Sequence, residues 1–94
     1  MSDIPELMHV ASVKALPGYR LAVVFTNGAE GVADLSWIAS SAGPMVQPLK
    51  DETFFARVFV EMGAPTWPNG FDLDPVNLYM ELRDAGALTQ AAAE

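Results

Sequence analysis

Twelve carboxylates, one histidine and no cysteine are the reactive groups available in this 94-residue chain. Two carboxylates sharing a cleft can divide the work of general acid and general base. His9 has no second histidine and no cysteine to complete a transition-metal site, and carboxylates alone suit hard cations. Asp72-Leu73-Asp74 has the opening of a calcium loop. Counted from Asp72, however, that loop puts Val76 at a ligand position and Arg83 where a bidentate Glu is required. Asp74 followed by Pro75 reads instead as a helix start, the carboxylate capping a free backbone N–H. Ser36, Ser40 and Ser41 lack the Gly-x-Ser-x-Gly elbow of a serine hydrolase. Gly28 and Gly31 fall inside a hairpin and not at a strand-to-helix turn, so they do not form a phosphate loop. The chain therefore reads as non-catalytic, with no cofactor and no metal. A carboxylate-based hydrolase is the weakest of the alternatives.

The remaining chemistry is that of docking. Tryptophan is favoured where binding energy concentrates in an interface. Trp67 opens the turn Trp67-Pro68-Asn69-Gly70, and Trp37 stands before a run of small residues, Ala39 to Ala42. Asp72, Asp74, Glu81 and Asp84 supply an acidic rim. The candidate partner-binding set is Trp37, Trp67, Asn69, Asp72, Asp74 and Glu81. A net charge of −7 steers a cationic partner on approach. It also argues against a grip on phosphate backbones, which is the work of Lys and Arg. The expected partner is another protein, of basic character, or a second copy in a homodimer, with no direct nucleic acid and no membrane. A small-ligand sensor domain is the alternative function. Apolar runs such as 21–25 span about five residues, far short of the ~20 that cross a bilayer. The first residues carry no basic, apolar export signal. A cytoplasmic location is the expectation.

The elements that must position these residues are legible in outline. The expected fold class is α+β. Residues 8–34 read as an antiparallel β-meander. Pro17-Gly18 punctuates its first turn, and Asn27-Gly28 its second. Between them Tyr19, Leu21, Val23 and Phe25 alternate with Arg20, Ala22, Val24 and Thr26, the period of a half-buried strand. Short helices are expected near 36–41 and 51–56, the latter capped by Asp51. A further strand is expected near 57–61, broken by Gly63-Ala64-Pro65. Val58-Phe59-Val60 and Val23-Val24-Phe25 are apolar on both faces, so these strands are either covered twice or open for pairing. The C-terminal helix, about 75–84, carries Leu78, Tyr79 and Leu82 on one face and ends at Gly86. Residues 1–7 are expected to be flexible, 8–84 to form one domain, and 85–94 to be a loose tail.

The order of these motifs resembles a family of small bacterial domains, domain of unknown function 2442. The resemblance rests on 16–21 (Leu-Pro-Gly-Tyr-Arg-Leu), 25–28 (Phe-Thr-Asn-Gly), 32–36, 49–51, 54–58 and Leu78-Tyr79. It rests above all on the string Trp67-Pro68-Asn69-Gly70-Phe71-Asp72-Leu73-Asp74-Pro75. It covers about Val10 to Leu82. The resemblance implies an antiparallel sheet with helices and assigns no catalytic residue. Some relatives carry a helix-turn-helix domain after this one and some are encoded beside toxin-like proteins, which implies an antitoxin-like or regulatory role. A chain stopping at Glu94 is expected to lack that DNA-reading module.

Overall fold

The computed structural model describes residues 8–90. The expectations for 1–7 and 91–94 lie outside them. Three strands form the meander: β1 (Val10–Leu16), β2 (Arg20–Phe25) and β3 (Ala29–Asp34). They are antiparallel and adjacent in the sheet order β1-β2-β3-β6, where β6 is Thr89–Gln90. The alternation in β2 translates directly into burial. Leu21, Val23 and Phe25 are at most 1% exposed, while Ala22 and Val24 are half-buried on the other face. A bulge between Val10 and Ser12 lets Val10 rejoin the inner face opposite Phe25.

The turns are tighter in their demands than the strands. Gly18 and Tyr19 both take left-handed backbone, φ 82° and 59°. Tyr19 is therefore a turn residue and not the first of β2, a correction to the strand read from alternation. It stays because its hydroxyl donates to the Lys50 carbonyl and its ring meets Phe55 edge-on at 5.6 Å. In the second turn Gly28 takes φ 92°. Asn27 contributes differently: its Oδ1 accepts from Ala29 N–H at 3.0 Å, a side-chain turn.

After β3 the chain makes two 3-10 helices, Ser36–Ser40 and Gln47–Lys50, then the single helical turn α1 (Glu52–Phe55). Asp51 caps α1, accepting from Thr53 N–H at 3.0 Å. β4 (Phe59–Glu61) and β5 (Ala64–Thr66) form a second, two-stranded sheet. Here Gly63 does not end a strand but turns a hairpin: Met62 and Gly63 take φ 54° and 79° between the paired Glu61 and Ala64. α2 (Pro75–Asp84) starts where Asp74 accepts from Val76 N–H at 3.2 Å, and Gly86 follows its end with φ 70°. The core lies between the inner face of the meander and these helices. Ile38, Leu49, Phe55, Trp67, Leu78 and Leu82 all come from the helical and turn segments.

The segment after α2 is not all loose. Ala87 N–H donates to Leu82 carbonyl at 2.9 Å. Thr89 and Gln90 then pair with Glu30 and Ala29. The passage is possible because position 31 is glycine: a Cβ there would stand 2.7 Å from the Ala87 carbonyl oxygen.

Candidate functional site

Identical side chains end in opposite places. Trp67 is 0% exposed. Its Nε1 donates to the Phe55 carbonyl at 2.9 Å, and its ring packs against Phe55 and Phe71. Burial removes it from the docking set. Asn69 is likewise committed to the turn: Oδ1 accepts from Phe71 N–H at 3.2 Å and Nδ2 donates to the Met45 carbonyl at 2.9 Å. The turn itself has the expected spacing, Gly70 N–H closing onto the Trp67 carbonyl at 2.9 Å. Trp37 lies on the first 3-10 helix, where its neighbour Ile38 takes the inward place at 0% exposure and leaves the indole 45% exposed.

The other expected residues come together around Trp37. A surface groove of about 260 Å³ runs between the first 3-10 helix, the loop before α2 and α2 itself. Leu35, Leu73 and Leu78 supply its apolar floor, and Trp37 one wall. Asp72, Asp74, Asn77 and Glu81 supply its polar rim, with no Lys or Arg in the lining. Four of the six candidates therefore share one groove. Leu35 and Leu73 lie on no periodic face and Asn77 lies off the apolar face of α2, so none of the three is among the expected residues. The periodic apolar face of α2, which includes Leu78, was the available signal.

The carboxylates described are mainly structural or solvent-facing. Asp51 and Asp74 cap helices. Asp34 Oδ1 accepts from Ser36 N–H at 2.9 Å. That backbone bond, a bond from the Ser36 side chain and the nearby Arg20 charge hold the Asp34 carboxyl below its ordinary value of 3.8, against a small opposing cost of burial. Arg83 and Asp84 form an exposed ion pair at 3.6 Å. Among the described residues, no three His, Asp or Glu side chains gather as a cation cage. No helix among them is long and apolar enough to cross a membrane. His9 is exposed and lies against Gly63.

The fold and groove define a small α+β domain: an antiparallel meander packed on short helices, with an apolar-floored, acid-rimmed groove on its surface. Residues 10–84 match the family described as "Protein of unknown function (DUF2442)", and the chain belongs to that family. Among solved structures it is similar to the "putative DNA binding protein" of Nitrosomonas europaea ATCC 19718, at 28% identity and a TM-score of 0.67. The likeness covers 85% of this chain and 52% of that one, so this chain spans about half the neighbour's length. No curated protein matches the chain. The neighbour corrects one expectation, the exclusion of direct nucleic acid. That exclusion rested on net charge, a sum over one chain. It fails beside a similar protein that bears a DNA-binding name.

Proposed function

We propose that this domain is a non-catalytic docking module of a cytoplasmic regulatory protein, holding a cationic protein partner in the groove beside Trp37. The convergence of Trp37, Asp72, Asp74 and Glu81 on one apolar-floored channel carries the reading. An exposed indole offers a large, stiff contact surface and a face for a cation. The carboxylates around it add attraction in approach and register. The net charge of −7 supports the same sign of partner. The DNA-binding name of the Nitrosomonas neighbour supports a setting in gene regulation, an antitoxin-like or effector-sensing unit being one form of it. The groove is partly open to solvent and not an enclosed cavity, which suits a polypeptide better than an enclosed metabolite.

The test compares the wild-type protein with Trp37→Ala and Glu81→Lys as bait in extract of the source cell, at low and high salt. Both variants alter exposed side chains, and circular dichroism checks their fold. The expected result is one or more basic proteins retained by wild type, lost by both variants and released by salt. Identical retention by all three baits would overturn the groove as the docking surface.

A further inference from the structure

We infer that the groove takes an extended, basic segment of its partner as an added strand on the free edge of β3. This rests on the docking reading above and specifies how the partner binds.

The backbone alternates. Leu35 N–H donates to the Tyr19 carbonyl at 2.8 Å, continuing the β2–β3 ladder past Asp34. In an antiparallel ladder, residues two apart direct their N–H and C=O groups to the same side. Ala33, Gly31 and Ala29 therefore face β2, and Glu30, Val32 and Asp34 face the other way. β6 covers only the beginning of that outer edge: Thr89 pairs with Glu30, and Gln90 with Ala29. The chain leading into β6 lies near Val32, Ala87 lining a channel with it, but the β3–β6 ladder does not continue there. The chain crosses over Gly31, with the Ala87 carbonyl against that glycine and the Ala87 N–H bonded to Leu82. No strand among the described residues pairs with Val32 or Asp34 on this edge, and Val32 is 44% exposed. Among the described residues, no backbone bond from outside the sheet reaches either one.

Beside that edge lies a second channel of about 230 Å³, lined by Ala33, Leu35, Leu78 and Leu82 and bordered by Asp34 and Glu81. Leu35, Leu78 and Glu81 also line the Trp37 groove, so the two channels adjoin. A strand paired with Val32 and Asp34 would direct the side chain opposite Ala33 into the second channel, onto Leu78 and Leu82. One end would lie near Val32 and the other, past Asp34 and Leu35, near Trp37 and the rim of Asp72 and Asp74. Main-chain bonds supply affinity in such strand addition, and alternate side-chain pockets supply selection. Neither channel has a Lys or Arg in its lining, which calls for basic residues on the occupant. A second copy of this chain brings the same acidic lining and another −7, so self-pairing sets like charges together.

The probe is the synthetic peptide acetyl-Arg-Val-Arg-Val-Arg-amide, titrated into the whole protein and followed by amide NMR. Controls are the same peptide N-methylated at alternate amides, in both registers, and acetyl-Glu-Val-Glu-Val-Glu-amide. The expected result is saturable shifts at Val32, Asp34, Leu78 and the Trp37 indole, with slowed hydrogen exchange of the Val32 and Asp34 amides. N-methylation on the pairing edge should weaken binding about tenfold, since it removes main-chain donors and changes nothing in the protein. Glu81→Lys should weaken it about fivefold, and the acidic peptide should not bind. Equal binding of the basic peptide and both N-methylated forms would overturn strand pairing and leave the docking reading standing. Absence of binding by the basic peptide, with partner retention in extract intact, would overturn the basic extended occupant alone. Loss of both would remove the docking reading as well. Protection of the Val32 and Asp34 amides in the free protein, with sedimentation as a dimer, would also overturn the proposal.

Discussion

Trp67→Phe separates the two tryptophans most sharply. Phe55 ends α1, and its carbonyl faces the Trp67 indole N–H at 2.9 Å in a site where both residues are at most 1% exposed. Phenylalanine keeps an aromatic ring between Phe55 and Phe71 but has no donor. Leaving that carbonyl buried and unbonded costs about 1–3 kcal/mol. The smaller ring adds about 1–2 kcal/mol in lost burial and residual cavity. The sum, about 2–5 kcal/mol, is a large share of the ~5–14 kcal/mol expected of a domain this long. At the middle of that range the midpoint of thermal unfolding falls by about 14–28 °C. Urea denaturation followed by circular dichroism measures it, with the slope against urea unchanged if the native fold is kept. Binding of the basic peptide below the midpoint should be unaltered, because the indole lines neither of the two channels. A stability loss under ~1 kcal/mol would refute the assignment of this hydrogen bond as the tether between α1 and the turn. Loss of peptide binding with stability intact would refute its exclusion from docking.

Three further outcomes follow from the local geometry. Gly31→Ala puts a methyl 2.7 Å from the Ala87 carbonyl oxygen, a backbone atom. It should cost about 1–3 kcal/mol in denaturant unfolding and speed amide exchange at Thr89 as β6 lifts off. Asp74→Ala removes the cap on Val76 N–H and should cost about 0.5–2 kcal/mol by thermal unfolding, whereas Asp74→Asn keeps an acceptor and should cost much less. Asp34 should titrate below 3.8 in a carboxyl NMR titration, as its bonds to Ser36 favour the ionised form. Because the folded value is the depressed one, its contribution is present above the ordinary value and lost as pH falls through the folded value. Asp34→Ala should abolish that acid dependence, and a titration at or above 3.8 would contradict the assignment.

The parts of the fold that sequence reading recovers are those set by local rules. Leu21, Val23 and Phe25 are buried together because a strand's side chains alternate, whatever surrounds it. Asp74-Pro75 starts α2 because a carboxylate cap and a residue without N–H suit a helix's first turn. The β4–β5 hairpin was misread for an equally local reason. Pro65 argues against a strand, and Met62 is a costly choice for left-handed backbone. Pairing of Val60 with Pro65, and burial of Pro65 in the core, outweigh both penalties. β6 was invisible because two residues carry no period; it exists through its pairing with β3.

By itself, the order of residues determined an acidic α+β domain, the inner face of β2, the places of the two meander turns, and where its last helix begins and stops. Each of these follows from dihedral preference, periodicity or charge, and all act over a few residues. Only the tertiary structure decided that Trp67 is interior and Trp37 surface, that Asp72, Asp74 and Glu81 border one channel, and that, among the described residues, β6 pairs with only the start of β3. Those outcomes depend on which side chains from distant segments compete for the same space: Ile38 takes the inward position beside Trp37, and Gly31 lets the chain cross before it can pair with Val32.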